Sequence, residues 1–367
     1  MSRNILHLMG MDSTKYGGIE RFNIELSRQL REKGYHSVFV YEEYPCVQQF
    51  VDDLKETGAE LYTINSRKKM LKFCWDIWKL YKQYNFCTIH AHFTKARFYA
   101  LPLALLYGIK NRLYTIHSTM EPLREINLHT RLWYWWMNKK CRIVAVSKQI
   151  EKVAKNNWSN AVVKAIYLGV DSMISDRKSA RKELAISDDT IVVTTVSNFN
   201  KVKGLDILCY AIKYLVDTDT IENTIVYIVG QPEKEIVELK DLIRQLSIES
   251  YIKMEGIKNN IPTYLNASDI YVQASRHEGI ALALMEATSV GLPIIASAVG
   301  GIPEVAREYR NALLFPSKDV IELAKALHKL IINSKLRNEL GRESTNVFHE
   351  SFCLKQNVSN LVEYYCL

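Results

Sequence analysis

The sequence has no G-x-G-x-x-G run. Gly10, Gly17 and Gly18 fall at the wrong offsets, which excludes a nicotinamide dinucleotide fingerprint. It has no C-x-x-C pair either. Its seven cysteines, at 46, 74, 87, 141, 209, 353 and 366, are odd in number and scattered, a pattern of reduced, packed thiols that excludes a disulfide framework or a zinc knuckle. Long apolar runs are missing. The longest, 99–109, contains Pro102 and falls well short of the roughly 20 residues that span a bilayer. The apolar piece near the N-terminus is about six residues, too short for a secretory h-region, so the expectation is a cytoplasmic protein, at most peripheral at the inner face of the plasma membrane. With 15 Gly and 8 Pro there is no collagenous or low-complexity character.

What is present is 367 residues, 48% hydrophobic and 24% charged, more than one hydrophobic core usually serves. The charge is uneven. The first 170 residues carry 26 Lys and Arg against 14 Asp and Glu, and the remainder 22 against 26. A basic first half is expected to meet something anionic. No nucleic-acid-binding module accompanies the charge, so nucleic acid is not expected as a partner. Segments 66–84 and 128–142 combine Lys and Arg with Trp and Tyr at helical spacing. Two readings stand side by side: helices lying on an anionic membrane surface, or ordinary amphipathic helices with core aromatics and solvated lysines.

Short β-like runs at 5–9, 37–41, 88–92, 112–117 and 143–146 alternate with helical stretches at 19–32, 75–84, 96–106 and 123–138. After a polar stretch at 172–189, which has the composition of an inter-domain connection, the alternation restarts with strands at 191–196, 224–229, 252–255, 270–273 and 293–296. This order predicts an α/β chain of two doubly wound Rossmann-like domains, 1–170 and 171–349, facing across a cleft at the carboxyl ends of their strands, with 350–367 as a C-terminal helix crossing back.

The densest functional stretch runs from Ser275 to Glu304. Glu278 is expected at a strand end, with Gly279 turning the chain into a helix whose N–H groups at Ile280, Ala281 and Leu282 form a phosphate site. Glu286 comes eight residues on, within roughly 80° of the same direction and about 12 Å along if the helix is continuous. Gly17 and Gly18 open the first helix and allow close backbone approach to a diphosphate or an acceptor. Lys203, expected at a helix start, supplies a point charge for a diphosphate. His90 and His92 share a strand face without a third metal ligand and read as structural or cleft-lining. The D-x-D at 217–219 falls in a polar loop and reads as incidental.

The stretch 275–304 resembles the signature of the retaining nucleotide-sugar glycosyltransferases of the GT-B fold, family four. The resemblance continues through Gly17-Gly18-Ile19-Glu20, Thr115-Ile116-His117, Ala145-Val146-Ser147, Gly169-Val170-Asp171 and Lys203-Gly204, and so covers nearly the whole chain. It implies that Glu278 and His117 address the transferred sugar and that Glu286 holds the ribose hydroxyls. Lys203 then holds the diphosphate, and Gly256 with the next residues the base. Where the family often has Arg five residues before that lysine, this chain has Asn198, a neutral donor. The function implied is retaining, metal-independent hexosyl transfer. The donor is a UDP-sugar first and GDP-mannose next, with no other cofactor, and the acceptor is a glycan or lipid-linked hydroxyl in bacterial surface polysaccharide synthesis. A sugar-nucleotide epimerase of the same fold and a non-catalytic nucleotide-sugar-binding protein remain the alternatives.

Overall fold

The computed structural model describes residues 3–67, 69–118, 128–158, 160–232 and 235–365, the side chains of 94–96 and 128–130 excepted. The expected helix at 123–138 therefore lies partly outside the described residues, as does position 68 within 66–84, while within 128–142 only the side chains of 128–130 are left undescribed. Packing divides the chain into two units: the residues up to Gly169 joined by the segment from Leu354, and Val170–Cys353. The second unit runs past 349 because the helix Ser334–Ser351 belongs to it whole.

The first unit holds a seven-stranded, all-parallel sheet in the order β3-β2-β1-β4-β5-β6-β7, with β1 Asn4–Leu8, β2 His36–Tyr41, β3 Glu60–Thr63, β4 Thr88–Ala91, β5 Asn111–Ile116, β6 Arg142–Ala145 and β7 Val162–Ala165. The inner strands are continuous apolar runs because helices cover both faces. From β1 to β3 the chain steps one way, and from β3 through β7 the other. Right-handed crossovers therefore put Gly18–Glu32 and Gln48–Glu56 on one face, and Met70–Tyr84, Thr94–Tyr107, Leu128–Met137 and Lys148–Asn157 on the opposite face. The C-terminal helix Leu354–Tyr365 packs on the first face. Its Val358, Leu361 and Val362 meet Phe22, Leu26 and Leu30, each side chain contributing about 2 kcal/mol by burial.

The second unit has a six-stranded parallel sheet in the order β10-β9-β8-β11-β12-β13, with β8 Ile191–Val196, β9 Thr224–Val229, β10 Ile252–Gly256, β11 Ile270–Gln273, β12 Ile294–Ser297 and β13 Ala312–Phe315. The polar stretch 172–189 is not a free connection. Its helix Arg177–Glu183 packs on Ile261–Ala267, and Arg181, only 3% exposed, donates to the carbonyls of Ala267, Ser187 and Thr190. A buried guanidinium whose two terminal nitrogens are held by three carbonyls in this way fastens the segment to the unit. In both sheets the strand order reverses once, between β1 and β4 and between β8 and β11, the places where doubly wound sheets bind ligands.

Candidate active site

At the β8/β11 switch point the side chains of the second unit converge from loops. Glu278 is not at a strand end, as the sequence predicts, but five residues beyond β11. Lys203 is not in the following helix but closes a 3-10 turn, Lys201–Lys203, ahead of Leu205–Asp217. The two meet: Lys203 Nζ donates to Glu278 Oε1 at 2.5 Å, with the side chains 23% and 13% exposed. Neither position holds itself there. Arg276 donates to both oxygens of Asp206, at 2.8 and 2.7 Å, and to the carbonyl of Lys201, while its own N–H bonds the carbonyl of Val202 at 2.7 Å. The fork fastens the Glu278 loop to the Lys203 turn. Burial opposes the charge on Asp206, but Arg276 outweighs it and holds the carboxyl below its usual range, and the bond to Asp206 raises Arg276 in turn.

Two glycines make this close approach sterically feasible. A Cβ at Gly204, where φ is +66°, would lie 2.0 Å from the carbonyl oxygen of Ala274, and one at Gly300, where φ is +53°, 1.8 Å from that of Glu278. The Gly-Gly loop is thus packed against the backbone of Glu278 itself, so Gly300 is the residue whose size matters most to that loop. The helix expected from Ile280 starts at Leu282. Ala281 is its extended N-cap, so Gly279 and Ile280 form the approach and Leu282 is the first helical residue. The chain between Glu278 and Glu286 is therefore not continuous helix, and the 80° estimate for the two carboxylates does not hold. They do share surroundings: the Tyr271 phenol is raised by burial first, then by the charges of Glu286 and Glu278.

Asn198 follows β8 with its side chain partly exposed, and the adjacent Ser197 Oγ is enclosed with no hydrogen-bond partner in the protein. Gly256 ends β10 with φ +66°, and nothing stands within 4 Å of where a Cβ would be. Asp217 of the D-x-D is a helix-end residue paired with Lys213 at 2.6 Å. Sequence reasoning missed Arg276, Asp206 and Ser197. The charge pair 206/276 lies 70 residues apart and carries no local signal.

In the first unit, Gly17 is the N-cap of Gly18–Glu32, and Glu20 turns back to accept from its N–H at 3.0 Å and from Ser13 Oγ at 2.9 Å. Lys15 and Glu20 side-chain atoms stand 3.4 Å or more from a Cβ placed at Gly17. His117 follows β5, its Nε2 3.3 Å from His92 Nδ1 and its ring stacked on Phe93 at 4.7 Å. Beneath them lies a mostly apolar cavity of about 30 Å³, room for one or two waters, lined among others by Met9, Asn23, His90, His92, Thr115 and His117. Burial lowers His117 to about 4, and the charge of Arg97 adds to the effect. Among the described residues no group of three or more His, Cys, Asp or Glu side chains could hold a metal ion.

Two doubly wound parallel sheets, the second with a charged pair and small-residue loops at its switch point, define an α/β protein of the doubly wound class. Residues 176–347 match the family Glycosyl transferases group 1 and residues 16–173 match Glycosyltransferase Family 4. The chain belongs to this family of GT-B glycosyltransferases. It is 24% identical over 364 residues, 95% of this chain and 93% of the relative, to the UDP-Gal:alpha-D-GlcNAc-diphosphoundecaprenol alpha-1,3-galactosyltransferase of Escherichia coli. Among solved structures it is similar to a glycosyltransferase from Rickettsia africae ESF-5, with TM-score 0.84 and 19% identity, covering 99% of this chain and 98% of that one. It is also similar to HepE of Anabaena in complex with UDP, with TM-score 0.83 and 20% identity, covering 98% and 99%.

Proposed function

We propose that the chain is a retaining, metal-independent glycosyltransferase that moves a hexose from a UDP-sugar to a hydroxyl of a glycan or lipid-linked acceptor in bacterial surface polysaccharide synthesis. GDP-mannose is the next donor. The observation that carries the reading is the Lys203–Glu278 pair, locked at the β8/β11 switch point by Arg276 and Asp206. The UDP-sugar named for the Escherichia coli relative and the UDP bound by HepE support the choice of base.

In this reading the diphosphate takes Lys203 from Glu278, with the amide of Asn198, the hydroxyl of Ser197 and the N–H groups from Gly279 to Leu282 as further donors. Glu286 accepts from the ribose hydroxyls, and the open backbone at Gly256 faces the base. Glu278, released from Lys203, accepts from the sugar hydroxyls and fixes the ring, and His117 addresses the same sugar. Gly17 and Gly18, small residues where the first helix opens, allow an acceptor or diphosphate to approach the chain there once Glu20 gives up the Gly17 N–H. The acceptor hydroxyl bonds to the anomeric carbon on the face from which the phosphate oxygen departs. The anomeric C–O bond to phosphate breaks, and the acceptor's proton ends on the departing diphosphate. The test is a donor screen that follows nucleoside diphosphate release, with and without EDTA and lipid-linked acceptors. Release from one UDP-sugar, dependent on acceptor and indifferent to chelator, is expected. Turnover without acceptor would favour the epimerase, and binding without turnover a non-catalytic protein.

The reading includes attachment to an anionic bilayer through the face of the first sheet that carries Met70–Tyr84 and Leu128–Met137. Leu71, Trp75, Leu132, Trp135 and Trp136 are exposed there. Lys79 lies over Trp75, Lys82 over Trp78 and Lys139 over Trp135 at 4.0 to 6.0 Å, cations set beside apolar rings as an interface requires. No described helix is long and apolar enough to cross a membrane. All six tryptophans lie between 75 and 158, so their emission reports on the first unit alone. A blue shift with phosphatidylglycerol vesicles that is reversed by about 0.5 M salt, and absent with phosphatidylcholine, is expected. Indifference to vesicle charge would sink this part.

A further inference from the structure

Three histidines run in sequence through the first unit from the C-terminal helix to His117. Tyr365, at the end of Leu354–Tyr365, hydrogen-bonds His90 Nδ1 through its hydroxyl, and Thr115 Oγ1 bonds His90 Nε2 at 2.6 Å. With both ring nitrogens taken and no exposed surface, His90 is fixed in orientation. Its ring lies 4.3 Å from that of His92, and His92 Nδ1 lies 3.3 Å from His117 Nε2. Phe93, the next residue in the chain, stacks on His117 with an interplanar angle of 11°, so one short turn after β4 supplies both the hydrogen-bond partner and the flat surface for that ring. Tyr365 is itself pinned, its carbonyl accepting from Asn111 Nδ2 at 2.8 Å.

We propose that His92 is the positioning residue of His117, coupling the two rings' tautomers and fixing the plane of His117, with Tyr365 and Thr115 backing it through His90. What His117 does to a sugar rests on the reading above, but the positioning is a property of the protein alone. The coupling follows from proton counting. Burial holds His90, His92 and His117 below the usual histidine range, so near neutral pH all three are uncharged and each carries one N–H. A hydrogen bond between two neutral imidazoles contains one proton. If His92 Nδ1 carries it, His117 Nε2 accepts and His117 presents an N–H at Nδ1. If His117 Nε2 carries it, His117 presents a lone pair there. The tautomer of one ring dictates that of the other, and with it whether a hydroxyl at His117 Nδ1 is met by a donor or an acceptor. Among the described residues, the charged and titratable groups named around the series are Arg97, which donates to the carbonyl of Thr115 and to the hydroxyl of Tyr134, His7 on β1, Tyr365, and Glu20, which is turned toward Ser13 and Gly17. The partner the structure shows at His117 Nε2 is His92 Nδ1, and the imidazole pair is the device that couples the two tautomers.

The experiment is long-range nitrogen–proton NMR of the histidine rings in the intact chain, assigned by single substitutions. In the wild type, His117 is expected in one tautomer, with exactly one of His92 Nδ1 and His117 Nε2 protonated and no titration of His117 above pH 5. His92→Leu should give His117 averaged shifts of two tautomers, and His92→Asn, whose amide stands near the former Nδ1, should restore one. In the transfer assay His92→Leu is expected to lower kcat about tenfold with the donor KM unchanged, and His92→Asn to recover most of it. A tautomer mixture in the wild type, or a His117 spectrum the same in His92→Leu as in the wild type, overturns the proposal. Where His92→Leu does not fold by tryptophan emission, the wild-type spectrum decides. If no variant and no wild-type protein releases UDP, the transferase reading fails while the spectra still decide the positioning.

Discussion

Glu278→Gln is expected to lower transfer by roughly a hundredfold to a thousandfold while UDP binds as tightly as before or more tightly. The asymmetry follows from the ion pair. With no diphosphate bound, Lys203 already has a counter-charge in Glu278 at 2.5 Å, and a diphosphate must displace it. Removing the carboxylate's charge removes the competitor for Lys203 and at the same time the group that orients the sugar. Lys203→Ala should do the reverse to binding: UDP affinity falls, and Glu278 is left partly buried without its partner, at a cost to the second unit of about 2 kcal/mol, discounted for solvent at the pair. The double variant should be more stable than Lys203→Ala alone, because no uncompensated charge remains. Calorimetric titration with UDP and denaturant unfolding of the four proteins check both halves. Weaker UDP binding by Glu278→Gln would mean that the carboxylate assists the phosphate site instead of competing for it.

How much of this could be read from residues alone differs between the scaffold and the site. Strands β8, β9 and β11 coincide with the expected runs at 191–196, 224–229 and 270–273, since inner parallel strands buried on both faces appear as runs rich in Val, Ile, Thr and Tyr. Periodicity does not mark β3, β7 or β13. Each has four residues, and β3 and β7 are half exposed at sheet edges, where Glu60, Tyr62 and Lys164 interrupt the apolar pattern. At the site, the identities of Glu278, Glu286 and Lys203 are visible as a local motif, yet their elements are not. Non-helical chain from Gly279 to Ala281 and a 3-10 turn before Gly204 are decided by packing against Ala274 and by the Arg276 fork, contacts that span about 70 residues. The histidines show the same limit. That His90 and His92 share a strand face follows from a period of two, but Tyr365, which satisfies His90, is 275 residues away.

The same histidines make the first unit acid-labile, and this is the largest stability effect expected of the molecule. His7 and His90 have no exposed surface; His7 stacks on Phe39 at 4.3 Å, and neither of its nitrogens has a partner. Burial, with the charge of His92 second, lowers His7 to about 3, and burial takes His90 well below the ordinary value of 6.5. A histidine depressed in the folded state contributes no pH dependence above pH 6.5, where both states are neutral. Below it the unfolded chain binds a proton that the folded chain refuses, so stability falls as pH falls, down to the folded value. The slope is about 1.4 kcal/mol per pH unit for each group. His7 alone therefore removes about 2.7 kcal/mol between pH 6.5 and 4.5, a large fraction of the stability of a small domain; the enclosed His90 acts in the same direction, and the partly exposed His92 and His117 add less. Carboxylates held below their ordinary range, such as Asp206, lose their contribution only below about pH 4. Tryptophan emission, confined to the first unit, is thus expected to report unfolding between pH 6 and 4.5, before the second unit responds. His7→Phe, which keeps an aromatic ring on Phe39 and removes two unpartnered nitrogens, should move the midpoint to lower pH. A first unit whose emission holds steady to pH 4, or a His7→Phe midpoint no lower than that of the wild type, would show that the enclosed imidazoles protonate in place and that burial at β1 and β4 is less complete than their packing implies.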